Sequence, residues 1–237
     1  MSTDEKEIAG VAKRCGAKII QRPKEISGDF SPSEDALKHA INEIQKENPR
    51  KINYVVFLHV PVQKMPLKTP IYKIKVSYEQ GNFLERHWKS IELAYKKAPY
   101  FEEYKPLFEK IYSKKHILLR DLNVEIIKTI CDILGIKKKI VFSSELNLKD
   151  ENMTKTEKVV NLCKKLGITD FYEPEGGKTF VDESLFKKEG ILIRFQDYKH
   201  PEYPQLWGDF VPYLSVIDLL FNEGERSLSI IRGGRNK

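Results

Sequence analysis

NYVVFLHVPV, residues 53–62, is the stretch on which the fold turns. Its apolar residues run almost without interruption, the pattern of a strand covered on both faces, as in a parallel sheet with helices on either side. Upstream, Ser31-Pro32-Ser33-Glu34 sets a cap, a proline at the first helical position and a glutamate at the third; Ala36, Leu37, Ala40, Ile41 and Ile44 then recur on one face. Before that, AKIIQ (17–21) reads as a buried strand. Ser2 and Glu5, at capping-box spacing, open a short helix with Ile8, Val11 and Ala12 on its apolar stripe and Gly16 at its end. Helix, strand, helix, strand is the grammar of an α/β domain. The expected fold is α/β, a mostly parallel sheet flanked by helices, with strands at 17–21, 54–62, 139–142 and 190–195.

Downstream of residue 60 the rhythm changes. IYKIKVSY (71–78) alternates with period two and reads as a half-buried strand, at a sheet edge. A helix-rich middle segment follows, with helices over about 83–97, 100–113 and 117–134 joined by very short connections. KKIVF (138–142) reads as a strand and 154–166 as a helix begun by Thr154 or Thr156 and ended at Gly167. TDFYE (169–173) and ILIRFQDY (191–198) read as strands, and YLSVIDLLFN (213–222) as a closing helix capped by Gly224.

A chain of 237 residues, 41% hydrophobic and 32% charged, has ample length for a core and the composition of a globular protein. The net charge of +7 is spread along the chain, with Lys64, Lys68, Lys73 and Lys75 free of intervening acids and a lysine triplet at 137–139. Such a surface favours anionic partners, nucleotides or sugar phosphates. No interleaving of basic and aromatic residues points to nucleic acid. Cys15, Cys131 and Cys163 are far apart, each inside a helical pattern, which excludes a disulfide framework and a clustered zinc site and fits buried thiols in a reducing compartment. With no secretory segment and no apolar run of membrane-spanning length, a cytoplasmic location without a membrane span is expected.

Two resemblances organise the chain. Ser2-Thr3-Asp4, EIAGVAKRCGA (7–17), Arg22-Pro23, SGDFSPSEDALKHAI (27–41) and YVVFL (54–58) resemble part of the acylneuraminate cytidylyltransferases. That family's glycine- and basic-rich nucleotide loop and its LQPTSP continuation have no counterpart here, so cytidylyl transfer is not expected. From VPVQK (60–64) the chain resembles the WbqC-like proteins of surface-polysaccharide gene clusters. HWKSIELAYKKAPYFEEY (87–104), LNVEIIKTICDILGIK (122–137), SSEL (143–146), VVNLCKKLGITDFY (159–172), Gly176-Gly177 and YPQLWGDFVPYLSVIDLLFNEG (203–224) carry the likeness. The two together read as a fusion: a partial cytidylyltransferase-like, Rossmann-like fragment over 1–58 and a WbqC-like domain over 59–237, joined strand to strand. The second resemblance implies a role in O-antigen-type polysaccharide biosynthesis, with acyl or aminoacyl (glycine-type) transfer to an activated sugar. A non-catalytic holder of a nucleotide sugar, or an inactive fusion product, is the alternative. The implied partner is a nucleotide sugar or sugar-linked substrate; the residues name no cofactor and no metal.

Candidate site residues each carry two readings. His87 opens a helix with Lys89, Ser90 and Tyr95 close by, either a proton-transfer group or a partly exposed helix histidine. Ser144 follows a predicted strand, where open α/β sheets bind ligands; it is an anion contact or an ordinary turn serine. Gly177, in YEPEGGK (172–178), lets backbone approach a ligand, although Glu173 and Glu175 beside it disfavour a phosphate. Gln196, Tyr203 and Gln205 supply the stacking and hydrogen bonds a sugar or nucleoside face needs, or pack over the sheet edge. Asp218 and Asn222 sit one turn apart in an apolar helix, where a carboxylate is costly unless an arginine or a backbone N–H pairs with it. His59 falls at the junction of the two resemblances and carries no role. No Ser-His-Asp order, HExxH or phosphate-loop signature is present.

Overall fold

The computed structural model describes residues 2–4, 9–10, 19–27, 33–47, 59–66, 68–79, 81–149 and 151–235. The chain divides into two compact units, Met1–Val55 with Gly176–Thr179, and Val56–Glu175 with Phe180–Lys237.

In the first unit, β1 (Ser2–Thr3) pairs in parallel with β2 (Ile20–Gln21), Ser2 opposite Ile20 and Thr3 opposite Gln21. The Arg22 N–H extends the ladder to the Thr3 carbonyl at 3.0 Å. Ser2 therefore begins a strand rather than capping a helix, because the backbone of Thr3, only 4% exposed, is committed to that ladder. The rest of the expected first helix lies largely outside the described residues. The second expected helix is present: α1 spans Ser33–Glu47, with Ala36, Leu37, Ala40 and Ile41 half-buried and Ile44 exposed, while Ser31 and Pro32 of its start signal lie outside the described residues.

The second unit is built on the expected helices. They are α2 (Phe83–Tyr95), α3 (Phe101–Tyr112), α4 (Leu119–Ile133) and, sharing their core from later in the chain, α7 (Val216–Glu223). Phe101, Tyr104, Phe108 and Ile111 recur at three- and four-residue spacing and are all buried. Phe221 of α7 closes over them, its ring 5.2 Å from Phe101, 5.5 Å from Phe108 and 5.3 Å from Tyr95. Each buried phenylalanine contributes roughly 1.5–3 kcal/mol by its removal from water.

A smaller core lies under the second parallel pair. There β3 (Asp170–Pro174) runs beside β4 (Leu192–Gln196), Asp170 opposite Leu192 and Pro174 opposite Gln196. α5 (Lys155–Leu166) and α6 (Glu183–Lys188) pack here through Val160, Cys163 and Phe186. Thr154 caps α5 in a full capping box with Glu157, and Gly167 ends it at φ 66°. Cys163 is buried and Cys131 half-buried, both as free thiols. After α7, a last helix, α8 (Ser227–Gly233), completes the unit.

The architecture is thus α/β with helices dominating and parallel strand pairs. Two expected strands need correction. Residues 139–142 form no strand: Ile140 and Val141 are about two-fifths exposed and no neighbouring strand takes up their backbone. In 71–78, Ile71–Lys73 is a 3-10 turn after Pro70, and only Lys75 and Val76 make bridges, antiparallel to Leu118 and Val62. Of 54–62, residues 54–58 lie outside the described set; 59–62 contribute the single antiparallel bridge at Val62. The strand expected at 190–195 is present as β4. No helix among the described residues is long and apolar enough to cross a membrane.

Candidate functional site

Every residue of α7 from Asp218 to Glu223 is buried. A carboxylate in such a helix must be met by donors, since an uncompensated buried charge is costly. Asp218, 4% exposed, is met three times. The Tyr203 hydroxyl donates to Asp218 Oδ2 at 2.9 Å, and the Gln205 amide donates to the same oxygen at 3.0 Å. The Tyr95 hydroxyl, from the last turn of α2, bonds the same carboxylate. The partners are two hydroxyls and an amide, not the arginine or backbone N–H expected from the sequence. Asn222 turns back on its own helix and donates to the Asp218 carbonyl at 2.8 Å. Burial, reinforced by the Asp218 charge, holds the Tyr95 phenol well above the usual tyrosine range. Burial and the Asp218 bond push Tyr203 up to about 12, against an opposing hydrogen bond from Gln205. Both hydroxyls therefore stay protonated as donors.

Gln205 also fixes the loop above. Its Oε1 accepts from the Val211 N–H at 2.7 Å and its amide donates to the Val211 carbonyl at 3.0 Å. The Trp207 indole N–H ties the same loop to α2 by donating to the Ala94 carbonyl at 2.9 Å. Next to Tyr203 lies His200, ringed by aromatics: Tyr213 at 5.0 Å, Phe210 at 5.6 Å, Tyr203 at 6.3 Å and Tyr198 at 6.4 Å between centroids. Trp207 and Tyr213 remain 50% and 73% exposed. The arrangement is a buried polar centre beneath an exposed aromatic loop.

Of the six residues singled out in the sequence, Tyr203 and Gln205 come together on Asp218. Gln196 closes β4 opposite Pro174 and is half-buried. His87 lies on α2 eight residues before Tyr95, about 12 Å along the helix axis. Its ring packs against Phe83 and Tyr112 at 5.1 and 6.4 Å and donates to the His59 carbonyl. Burial holds its pKa below the ordinary histidine value, against that hydrogen bond. His59, given no role from sequence, thus serves as its backbone partner. Ser144 sits exposed in a 3-10 turn, and without a strand over 139–142 the strand-end argument for it lapses. Gly177 is buried in the turn Glu175–Thr179, within the segment that groups with the N-terminal unit. No hydrogen bond joins His87, Ser144 or Gln196 to the Asp218 centre among the described residues. The depression lined by Glu183, Ser184, Lys187 and Gly190–Ile193 contains none of the six.

Sequence reasoning missed Tyr95 and His200. Tyr95 occupies a position that reads as helix core, and only its pairing with a distant carboxylate sets it apart. His200 stands in a run, KHPEYP, whose proline-rich spacing was the available signal of a rigid loop. Among the described residues no group of three His, Cys, Asp or Glu gathers to hold a metal ion.

Comparisons with known proteins extend this picture. The chain matches the WbqC-like protein family over residues 34–230. The uncharacterized protein Rv1507c of Mycobacterium tuberculosis (strain ATCC 25618 / H37Rv) is 33% identical over 163 residues, 68% of this chain and 69% of that protein. No solved structure matches. With most of its length inside the family match and a relative aligned over two thirds of both sequences, the chain belongs to the WbqC-like protein family.

Proposed function

We propose that this WbqC-like protein acts in the cytoplasm in building or decorating a surface polysaccharide of O-antigen type, by transferring an acyl or aminoacyl (glycine-type) group to an activated sugar. The observation that carries the proposal is the Asp218 centre. A buried carboxylate held by Tyr95, Tyr203 and Gln205 gives a rigid polar floor to a loop whose Trp207 and Tyr213 faces are open. Aromatic faces above oriented polar groups suit a sugar, which offers C–H faces and hydroxyls together. Gln196, Tyr203 and Gln205 act as ligand contacts in this reading, with Ser144 as a contact for the anionic part of a nucleotide sugar. His87 has the proton-transfer role assigned to it from the sequence. Its lowered pKa supports that role, because the ring is neutral near neutral pH and can accept a proton.

Incubation of the full chain with a panel of UDP-, GDP-, dTDP- and CMP-linked amino sugars and acyl or aminoacyl thioesters tests the proposal by mass spectrometry. The expected result is a sugar nucleotide heavier by one acyl group, formed only with active protein. A second reading, a non-catalytic holder of the nucleotide sugar, is favoured by the completeness of the Asp218 network, whose donors are already satisfied. It predicts thermal stabilisation by the sugar nucleotide without product. Residues 1–58, the stretch that resembles the cytidylyltransferases, are proposed to supply packing rather than chemistry. The Asp4–Arg22 pair at 3.9 Å supports a structural role for these two residues.

A further inference from the structure

His200 is held in one tautomer by the chain itself. Its Nδ1 lies 2.9 Å from the Pro201 carbonyl oxygen. A carbonyl only accepts, so the neutral ring carries its proton on Nδ1 and leaves the lone pair on Nε2. Nε2 has no protein partner among the described residues, and it is not one of the buried nitrogens left without one, His39 Nδ1 and His116 Nδ1. The ring orientation is fixed on four sides by Tyr198, Tyr203, Phe210 and Tyr213. One of these four, Tyr203, donates its hydroxyl to Asp218.

A second feature points to the same place. Tyr213 adopts φ 62°. A bulky side chain in the left-handed region is strained, by roughly 1 kcal/mol or more, and such strain collects where a side chain is held for use. Here it holds a tyrosine ring 73% exposed and 5.0 Å from His200, a position in which it buries little of its own surface.

We propose that His200 is a catalytic proton acceptor, and that its substrate is a sugar amine or hydroxyl whose ring stacks on Tyr213. The inference rests on the proposed transfer and assigns it a base at the aromatic loop, in addition to His87. Nε2 takes the proton from the acceptor as the acceptor's nitrogen or oxygen bonds to the carbonyl carbon of an acyl thioester. The carbon–sulfur bond breaks with its electron pair on sulfur, and the imidazolium returns the proton to the departing thiolate. No oxidant, reductant or metal is required.

Diethyl pyrocarbonate, itself an activated acyl donor, reads the nucleophilic nitrogen of each histidine in the intact protein, with the modified sites resolved by mass spectrometry. His200 is expected to react faster than His116, which is 4% exposed with Nε2 at 2.6 Å from Glu125. A sugar nucleotide that binds, present at about ten times its Kd, should slow His200 modification about tenfold by occupancy alone. The His200→Asn variant keeps an N–H for the Pro201 carbonyl but no base. It should bind the same sugar nucleotide within about threefold while losing transfer about a hundredfold. Slow modification of His200, or modification unaffected by a bound sugar nucleotide, overturns the assignment, as does undiminished transfer by His200→Asn. Failure of the whole sugar-nucleotide panel to bind overturns the functional reading itself and the ligand named here. A fast-reacting His200 in a protein that binds but does not transfer overturns the catalytic role.

Discussion

Asp218 and Glu125 show how differently one chain can satisfy a carboxylate. Asp218 is buried among neutral donors, whereas Glu125 sits at the boundary beside a lysine and a histidine. Lys114 Nζ approaches Glu125 Oε2 at 2.7 Å and His116 Nε2 at 2.6 Å. The Lys114 hydrogen bond first, and then His116, hold the Glu125 carboxyl below the ordinary glutamate value. A carboxylate with a depressed folded pKa contributes stability that is present above its unfolded value and is lost as pH falls through the folded one. Denaturant unfolding from about pH 5 down to about pH 3 should therefore show the wild-type protein losing its advantage over Glu125→Gln. A stability difference that stays constant over that range would show that the pair contributes nothing through its charge.

At the scale of elements, α7 does most to order the second unit, and its end is set by one glycine. Gly224 sits at φ 52°, and a β-carbon added there would come within 2.4–2.7 Å of the Tyr100 ring. That ring cannot retreat freely, because the Tyr100 N–H donates to the Phe221 carbonyl at 3.0 Å. Gly224→Ala combines a left-handed backbone with a collision, and should lower stability by about 1–3 kcal/mol, measured by thermal or urea unfolding. The sequence announced this glycine as the end of the closing helix, as it announced α2 to α5, β3 and β4, because amphipathic periodicity and caps act locally. What it misassigned depended on partners. Ile140, Val141 and Phe142 have strand chemistry, yet a strand exists only where another accepts its backbone bonds, and here Phe142 instead carries the Arg120 guanidinium over its ring at 5.3 Å. The site was legible to the same degree. Tyr203 and Gln205 lie close in sequence to one another and were found, and Asp218 was recognised as needing partners. Tyr95 and His200 become visible only when α2 and the 198–213 loop meet on α7.

For the whole molecule, family membership and the Asp218 centre together point to the aromatic loop. The loop over Asp218 is proposed to receive an activated sugar. The most direct test is isothermal titration calorimetry of the full chain with the UDP-, GDP-, dTDP- and CMP-linked sugars, alongside Tyr213→Ala. That substitution removes an exposed ring without touching the buried network, so the variant should fold as the parent does. Saturable binding of at least one sugar nucleotide by the parent is expected, weakened about tenfold or more in Tyr213→Ala through loss of a stacking face. Binding of equal strength in parent and variant, or none of the panel bound by the parent, would contradict the proposal.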